Sequence, residues 1–321
     1  MGKAILLAIG LGLGSGCTAD AGPGRKIANV QWDTVWQTSR TFMDSVLPAP
    51  GLMTFNRGRL FVFDGTMAHL AAIDAESGAP LWTVGRLGKG PEEFAGVAAL
   101  FRDRASGVGV VDIQNRRITR VTALGQVSGR VPLTSGQQPN QVCAFGDNRF
   151  VAADVFQLSL LVVDSTGALI KRLSPLWPDL AATTSNDSRQ VGLWNDEAGS
   201  RCLVTLFSGR GFALLSPGQE PVVGRYVETF DAFGMGERKD EREIQFWATG
   251  DAEFVADTAL ILFAGRTIDR GRLIDRFNGA SGRYLDSYRL PFKTTEFAAG
   301  NGLIFVLDSS ETQILALRAR R

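Results

Sequence analysis

Six stretches of the chain repeat one alternation of apolar and polar positions: a short apolar strand, a tight polar turn, then a second apolar or alternating strand. They begin at Gly51 (GLMTFNRGRLFVFD), Gly96 (GVAALFRDRASGVGVVD), Asn140 (NQVCAFGDNRFVAAD), Gln190 (QVGLWNDEAGSRCLVTLF), Phe246 (FWATGDAEFVADTALILFAG) and Thr295 (TEFAAGNGLIFVLD). Short apolar runs bounded by turn residues signal strands rather than helices. Behind each of the first five copies follow a third strand, a turn and a fourth strand, and the turn elements ESG, STG, SPG and ASG tolerate positive φ or bond their own backbone. The copies recur about every 42 to 57 residues, the spacing of four-stranded propeller blades.

After the sixth hairpin only ILALRAR remains, so the last copy lacks a strand. Residues 27–38 (IANVQWDTVWQT) are strand-like and precede the first complete copy. Placed as the outer strand of the last blade, they close the ring and cover open strand edges. The expected fold is therefore all-β, a six-bladed β-propeller over residues 27–321, closed by the N-terminal strand joining the last blade. Two packed sheets are the competing arrangement, which the regular spacing disfavours.

The first residues carry an address. Lys3 precedes the apolar stretch 4–13, and Gly14-Ser15-Gly16-Cys17 follows. A bilayer span needs about 20 apolar residues, more than this stretch has. The pattern resembles a bacterial lipoprotein signal, which implies removal of residues 1–16 and a lipid on Cys17, although Leu13 sits one position early and Gly14 takes its place. Ordinary signal cleavage is the alternative. Thr18 in place of Asp implies, by the same resemblance, an outer-membrane lipoprotein of the cell envelope, facing the periplasm or the surface. Residues 17–26 are expected to form a flexible tether.

The 321 residues carry a formal net charge of +1 with no long basic block, so nucleic acid is not an expected partner. His69 is the only histidine, which excludes every scheme needing two imidazoles. With Cys17 lipidated, Cys143 and Cys202 remain, in strands of neighbouring copies. Two independent buried thiols are the expectation, with a bridge as the alternative.

From Gly85 the chain reads GRLGKGPEEF, between a fourth strand and the next first strand. This resembles the G-x-x-G-x-G-P-x-E-F signature of bacterial six-bladed β-propeller lipoproteins, a group related to NHL-repeat propellers. Gly85, Gly88, Gly90, Pro91, Glu93 and Phe94 match, whereas Glu92 stands where that family often has glycine. LPFKTTEF from Leu290 is a degraded counterpart that keeps Glu296-Phe297. The resemblance implies blade architecture and no single activity. The motif's expected job is structural: glycines turn the crossover, proline stiffens it, and Phe94 wedges between blades. The competing reading makes Lys89 and the glycine amides an anion cradle, but Gly90 stands where a phosphate loop needs Ser or Thr.

Function is read on two lines. The first is a non-catalytic binding propeller, lipid-anchored and monomeric, recognising a protein, peptide or glycan through loops on one rim. Its candidate residues are Trp177 and Asp179 in the long crossover 174–189, Phe233 and Arg238 in the long crossover 228–245, and Lys89. The second is a metal-assisted hydrolase or lyase holding Ca²⁺ or another divalent cation, with the strand-end aspartates Asp64, Asp112, Asp154 and Asp308 as conceivable ligands. Against it, such aspartates commonly accept backbone N–H bonds, and Phe207 and Ala264 stand at the matching places of two copies. No catalytic residue is assigned. His69 is expected to hydrogen-bond in a turn.

Overall fold

The computed structural model describes residues 24–104, 107–133, 139–154, 159–173, 176, 191–206, 211–228, 249–264 and 269–320. Strand β1 (Gln31–Gln37) and helix α1 (Arg40–Val46) precede six four-stranded antiparallel sheets. Blade 1 is β2 (Pro50–Asn56), β3 (Arg59–Asp64), β4 (His69–Asp74) and β5 (Pro80–Val84). Blade 2 is β6 (Val97–Asp103), β7 (Gly107–Asp112), β8 (Arg117–Thr122) and β9 (Val127–Pro132). Blade 3 is β10 (Pro139–Ala144), β11 (Arg149–Asp154), β12 (Ser159–Asp164) and β13 (Leu169–Arg172). Blade 4 is β14 (Val191–Asn195), β15 (Cys202–Leu206), β16 (Gly211–Leu215) and β17 (Val222–Arg225). Blade 5 is β18 (Thr249–Val255), β19 (Thr258–Phe263), β20 (Leu273–Asn278) and β21 (Tyr284–Arg289). Blade 6 is β22 (Thr294–Gly300), β23 (Leu303–Asp308) and β24 (Ile314–Arg320), completed by β1 on its outer edge. Gln31 faces Arg320 and Gln37 faces Leu315, so the chain's beginning seals its end, as the strand count requires.

A blade is a thin sheet with no core of its own. The buried apolar side chains therefore divide into six clusters, each straddling the seam between two neighbouring blades. Aromatic pairs mark three of these seams: Phe55 with Phe305, Phe101 with Phe150, and Phe212 with Phe277 at 4.6 Å between ring centroids. Turns add a second seam device. The Trp36 indole donates to the Ala75 carbonyl of the next blade at 2.9 Å, and Trp82 repeats this on Ala123 at 3.0 Å. Gly78, at φ +73°, lies flat against the Trp36 ring where any side chain would collide. The turn glycine thus serves both backbone conformation and close approach.

Three features depart from the sequence reading. The first is α1, whose Ser39 side chain caps the Phe42 amide and whose Met43 is buried with Leu47 over the seam of blades 6 and 1. The second corrects the cysteine expectation. Cys143 and Cys202 form a disulfide from β10 to β15, so they are not independent thiols. Adjacent blades place inner and second strands in contact, which brings two fully buried cysteines of neighbouring copies side by side.

The third lies at the N-terminus, where residues 1–23 are outside the described residues and the expected tether's last two residues are docked. The Arg25 guanidinium makes a bidentate pair with Asp275 (2.9 and 2.8 Å), an ion pair with Glu228, and stacks 4.1 Å over the Phe263 ring. Residues 26–28 then exchange backbone hydrogen bonds with Ser287 along the outer strand of blade 5. Replacing Arg25 with alanine leaves a buried Asp275 without its cation, a change that costs about 3 kcal/mol. Limited proteolysis should then cut ahead of Gln31 at a rate the wild type does not show.

Candidate functional site

Two regions concentrate polar chemistry: the axis of the ring, and the crossover from β5 to β6. The inner strands β2, β6, β10, β14, β18 and β22 surround the axis. Near the end of β6, Arg102 is 2% exposed and turns its guanidinium across that axis. Nε donates to the Phe55 carbonyl (2.7 Å), Nη1 to the Asn195 (3.1 Å) and Phe254 (2.6 Å) carbonyls, and Nη2 to the Ala299 carbonyl (2.7 Å). The remaining donor meets Glu253 Oε2 at 2.7 Å. All the guanidinium donors are satisfied, by groups on blades 1, 4, 5 and 6. The Asn195 side chain completes the knot, accepting from the Arg102 amide (3.0 Å) and donating to its carbonyl (2.7 Å). Opposed strands lie within one guanidinium's reach, so the axis is filled at this level.

Closer to the crossover face, the same axis carries acids. Five inner strands, all but β14, show a register irregularity within their first residues. An extra residue there bends each strand locally. Asp251 accepts from the Trp194 indole (3.1 Å), the Ala252 amide (2.8 Å) and the Phe297 amide (2.8 Å), joining blades 4, 5 and 6. Glu296 lies on the β22 bulge, directly before the Phe297 amide that donates to Asp251. Burial pushes Asp251 up to about 7, and burial with the Asp251 charge pushes Glu296 well above the carboxylate range. Burial raises Glu253 to about 8, against the pull of Arg102.

The crossover GRLGKGPEEF is a braced loop. Gly88 N donates to Phe94 O and Phe94 N to Arg86 O, while Glu93 takes the Gly90 amide (2.7 Å) and pairs with Arg86 (2.8 Å). The Gly90 amide, with Arg86, holds the Glu93 carboxyl below its usual range. Blade 2 clamps the loop from below: Asn115 donates to Gly88 O, Arg117 to Gly90 O and Glu93 O, and Arg130 to Pro91 O. Phe94 is fully buried between Phe63 of blade 1 and Val108 and Val110 of blade 2. Gly85, at φ +104°, leaves the room that ring occupies. On the outside, Leu87 is 73% exposed and Arg86 and Lys89 are exposed beside it, above a shallow cavity of about 410 Å³ lined by Gly85, Arg86, Pro91, Glu92 and Glu93.

Of the residues singled out from sequence, Lys89 lies on this loop. Trp177, Asp179, Phe233, Arg238 and Cys17 fall outside the described residues. Asp64 and Asp112 face the crossovers rather than the axis, Asp64 accepting the Ala49 and Met67 amides and Asp112 those of Ala95, Gly96 and Asn115, while the side chain of Asp154 lies outside the described residues. Asp308 likewise accepts the Thr312 and Gln313 amides. Among the described residues no three His, Cys, Asp or Glu side chains are grouped to hold a metal. His69 Nε2 meets the Val46 carbonyl at 2.7 Å, pinning the end of α1 to blade 1. The axial residues Arg102, Asp251 and Glu253 were not singled out. Their signal was a charge inside otherwise apolar inner strands, VAALFRD and TGDAEFV.

The fold and its closure define a six-bladed β-propeller. Neither a protein-family model nor a curated protein matches the chain. Among solved structures it is similar to a protein of Bacteroides fragilis classed as exported, at TM-score 0.60 and 10% identity over 91% of this chain and 95% of that one. It is also similar to virginiamycin B lyase of Staphylococcus aureus bound to quinupristin (TM-score 0.52, 11% identity, 89% and 88% covered). A third is the Pan2 WD40 domain of Neurospora crassa (TM-score 0.52, 10% identity, 91% and 97% covered). At such identities the likeness is one of fold.

Proposed function

We propose that this protein is a non-catalytic binding propeller that recognises a protein, peptide or glycan on its crossover rim. The carrying observation is the loop 85–94. It is fixed by hydrogen bonds from its own backbone and from blade 2, yet it holds Leu87 out to solvent between Arg86 and Lys89. A rigid loop loses little entropy when a partner covers its apolar tip, which is the economy of a preformed recognition surface. A photo-crosslinking residue at position 87 is expected to capture a partner in the cell envelope that the same group at position 124, exposed on the opposite face, does not. Identical capture from both positions removes the rim reading. The long crossovers bearing Trp177, Asp179, Phe233 and Arg238 belong to the same rim in this proposal.

A lipid on Cys17 and a place in the cell envelope complete the proposal. The buried Cys143–Cys202 disulfide supports it, because such bonds persist in oxidising compartments. Palmitate labelling that vanishes in C17S tests the anchor separately from the rim.

A further inference from the structure

The docked N-terminus and the loop 85–94 sit on opposite sides of the ring. Arg25 is wedged between blades 4 and 5, its side chain 1% exposed, held by Asp275 of β20, by Glu228 just past β17 and by the Phe263 ring at the end of β19. The loop 85–94 bridges blades 1 and 2, with Phe94 in the apolar cluster they share. Among six blades in a circle these two seams face each other across the axis. Seven residues, 18–24, separate Cys17 from Arg25. Eight Cα steps reach at most about 29 Å in any conformation. Four strands at about 4.8 Å spacing make a blade roughly 14 Å deep, and two opposed blades with the axis between them measure roughly 40 Å. A lipid on Cys17 therefore meets the bilayer beside blades 4 and 5, out of reach of blades 1 and 2.

The edge that the tether leaves from has the chemistry of a headgroup-facing surface. Lys26, Arg225 and Arg283 are exposed on it, with Val223 half exposed on the outer strand of blade 4. Gly282 packs on Gly224, which joins the turn of Arg283 to the strand of Arg225. The acids nearby are spent on partners, Glu228 on Arg25 and Asp286 on Arg276, and Glu220 is the exposed acid among the described residues of this edge. Anionic headgroups attract basic side chains held close to the membrane. We propose that the outer edge of blades 4 and 5 docks on anionic phospholipid, and that Arg25 fixes the ring edge-on so that the loop 85–94 points away from the bilayer. This rests on the lipid at Cys17 proposed above. It gives that lipid a second task, which is to hold Leu87 where a partner can reach it.

The test uses lipidated protein in vesicles of phosphatidylethanolamine and phosphatidylglycerol that carry a nitroxide-headgroup lipid as quencher. A fluorophore is attached through A280C, in the exposed turn before β21, or through L87C. Fluorescence at position 280 is expected to be quenched and that at position 87 to be spared. Exchanging phosphatidylglycerol for phosphatidylcholine should lessen the quenching at 280. In R25A the freed chain back to Gln31 can reach about 50 Å, so the contrast between the two positions should shrink. Equal quenching at both positions in lipidated protein overturns the orientation and leaves the anchor standing. Quenching at 280 that ignores the anionic lipid overturns the docking surface, and an R25A contrast equal to that of the wild type overturns the part given to Arg25. Protein that mass spectrometry shows to carry no lipid on Cys17 removes the anchor, and this proposal with it.

Discussion

Replacing Arg102 with methionine is expected to abolish folding or to lower stability by at least about 4 kcal/mol, read from the shift in guanidinium denaturation midpoint. Methionine fills much of the space but donates nothing. It strands the Phe55, Asn195, Phe254 and Ala299 carbonyls and leaves Glu253 as a buried carboxyl without its counter-charge. Each unsatisfied buried acceptor costs roughly 1–3 kcal/mol, and an uncompensated charge costs more. Lysine restores the charge yet has three donors in place of a planar fork, so R102K should fall between wild type and R102M. An R102M protein with wild-type stability would mean that the inner strands hold their spacing without the guanidinium, and the axial knot would lose its standing as the keystone of the ring.

The second large effect is expected from the C143A/C202A double variant. The bridge closes 59 residues of chain, and loop-closure entropy alone assigns such a cross-link about 4 kcal/mol. Both sulfurs are fully buried at the seam of blades 3 and 4, so alanine also removes packing from that cluster. Native protein should resist reduction by dithiothreitol until denaturant opens the seam, and thiol titration across a urea series would show the two events together. Rapid reduction without loss of fold would show that the seam opens locally.

Much of this architecture was legible in advance because its causes are local. Turn glycines, strand-length apolar runs and a missing fourth strand act over a few residues. Copied six times, they determine a blade count and require the first strand to join the last blade. Phe94 could likewise be placed between blades, since glycine-rich crossovers ending in a large aromatic have one buried direction to turn it. Asp64, Asp112 and Asp308 followed the same rule, capping the turn beside them rather than converging on the axis. Helix α1 was missed because seven residues are too few to show a period, and it is held by the seam beneath it rather than by propensity.

What the sequence determined by itself is a closed ring of six repeated sheets, because strand pattern and turn chemistry are written in neighbouring residues. The tertiary structure decided which distant side chains meet. Arg102 finds Ala299 across 197 positions, Arg25 finds Asp275 across 250, Cys143 finds Cys202, and Asp251 finds the Phe297 amide. None of these pairings has a local signature. Each exists because circular closure brings the inner strands of different blades to one axis, and burial there forces every charge to take a partner or keep its proton.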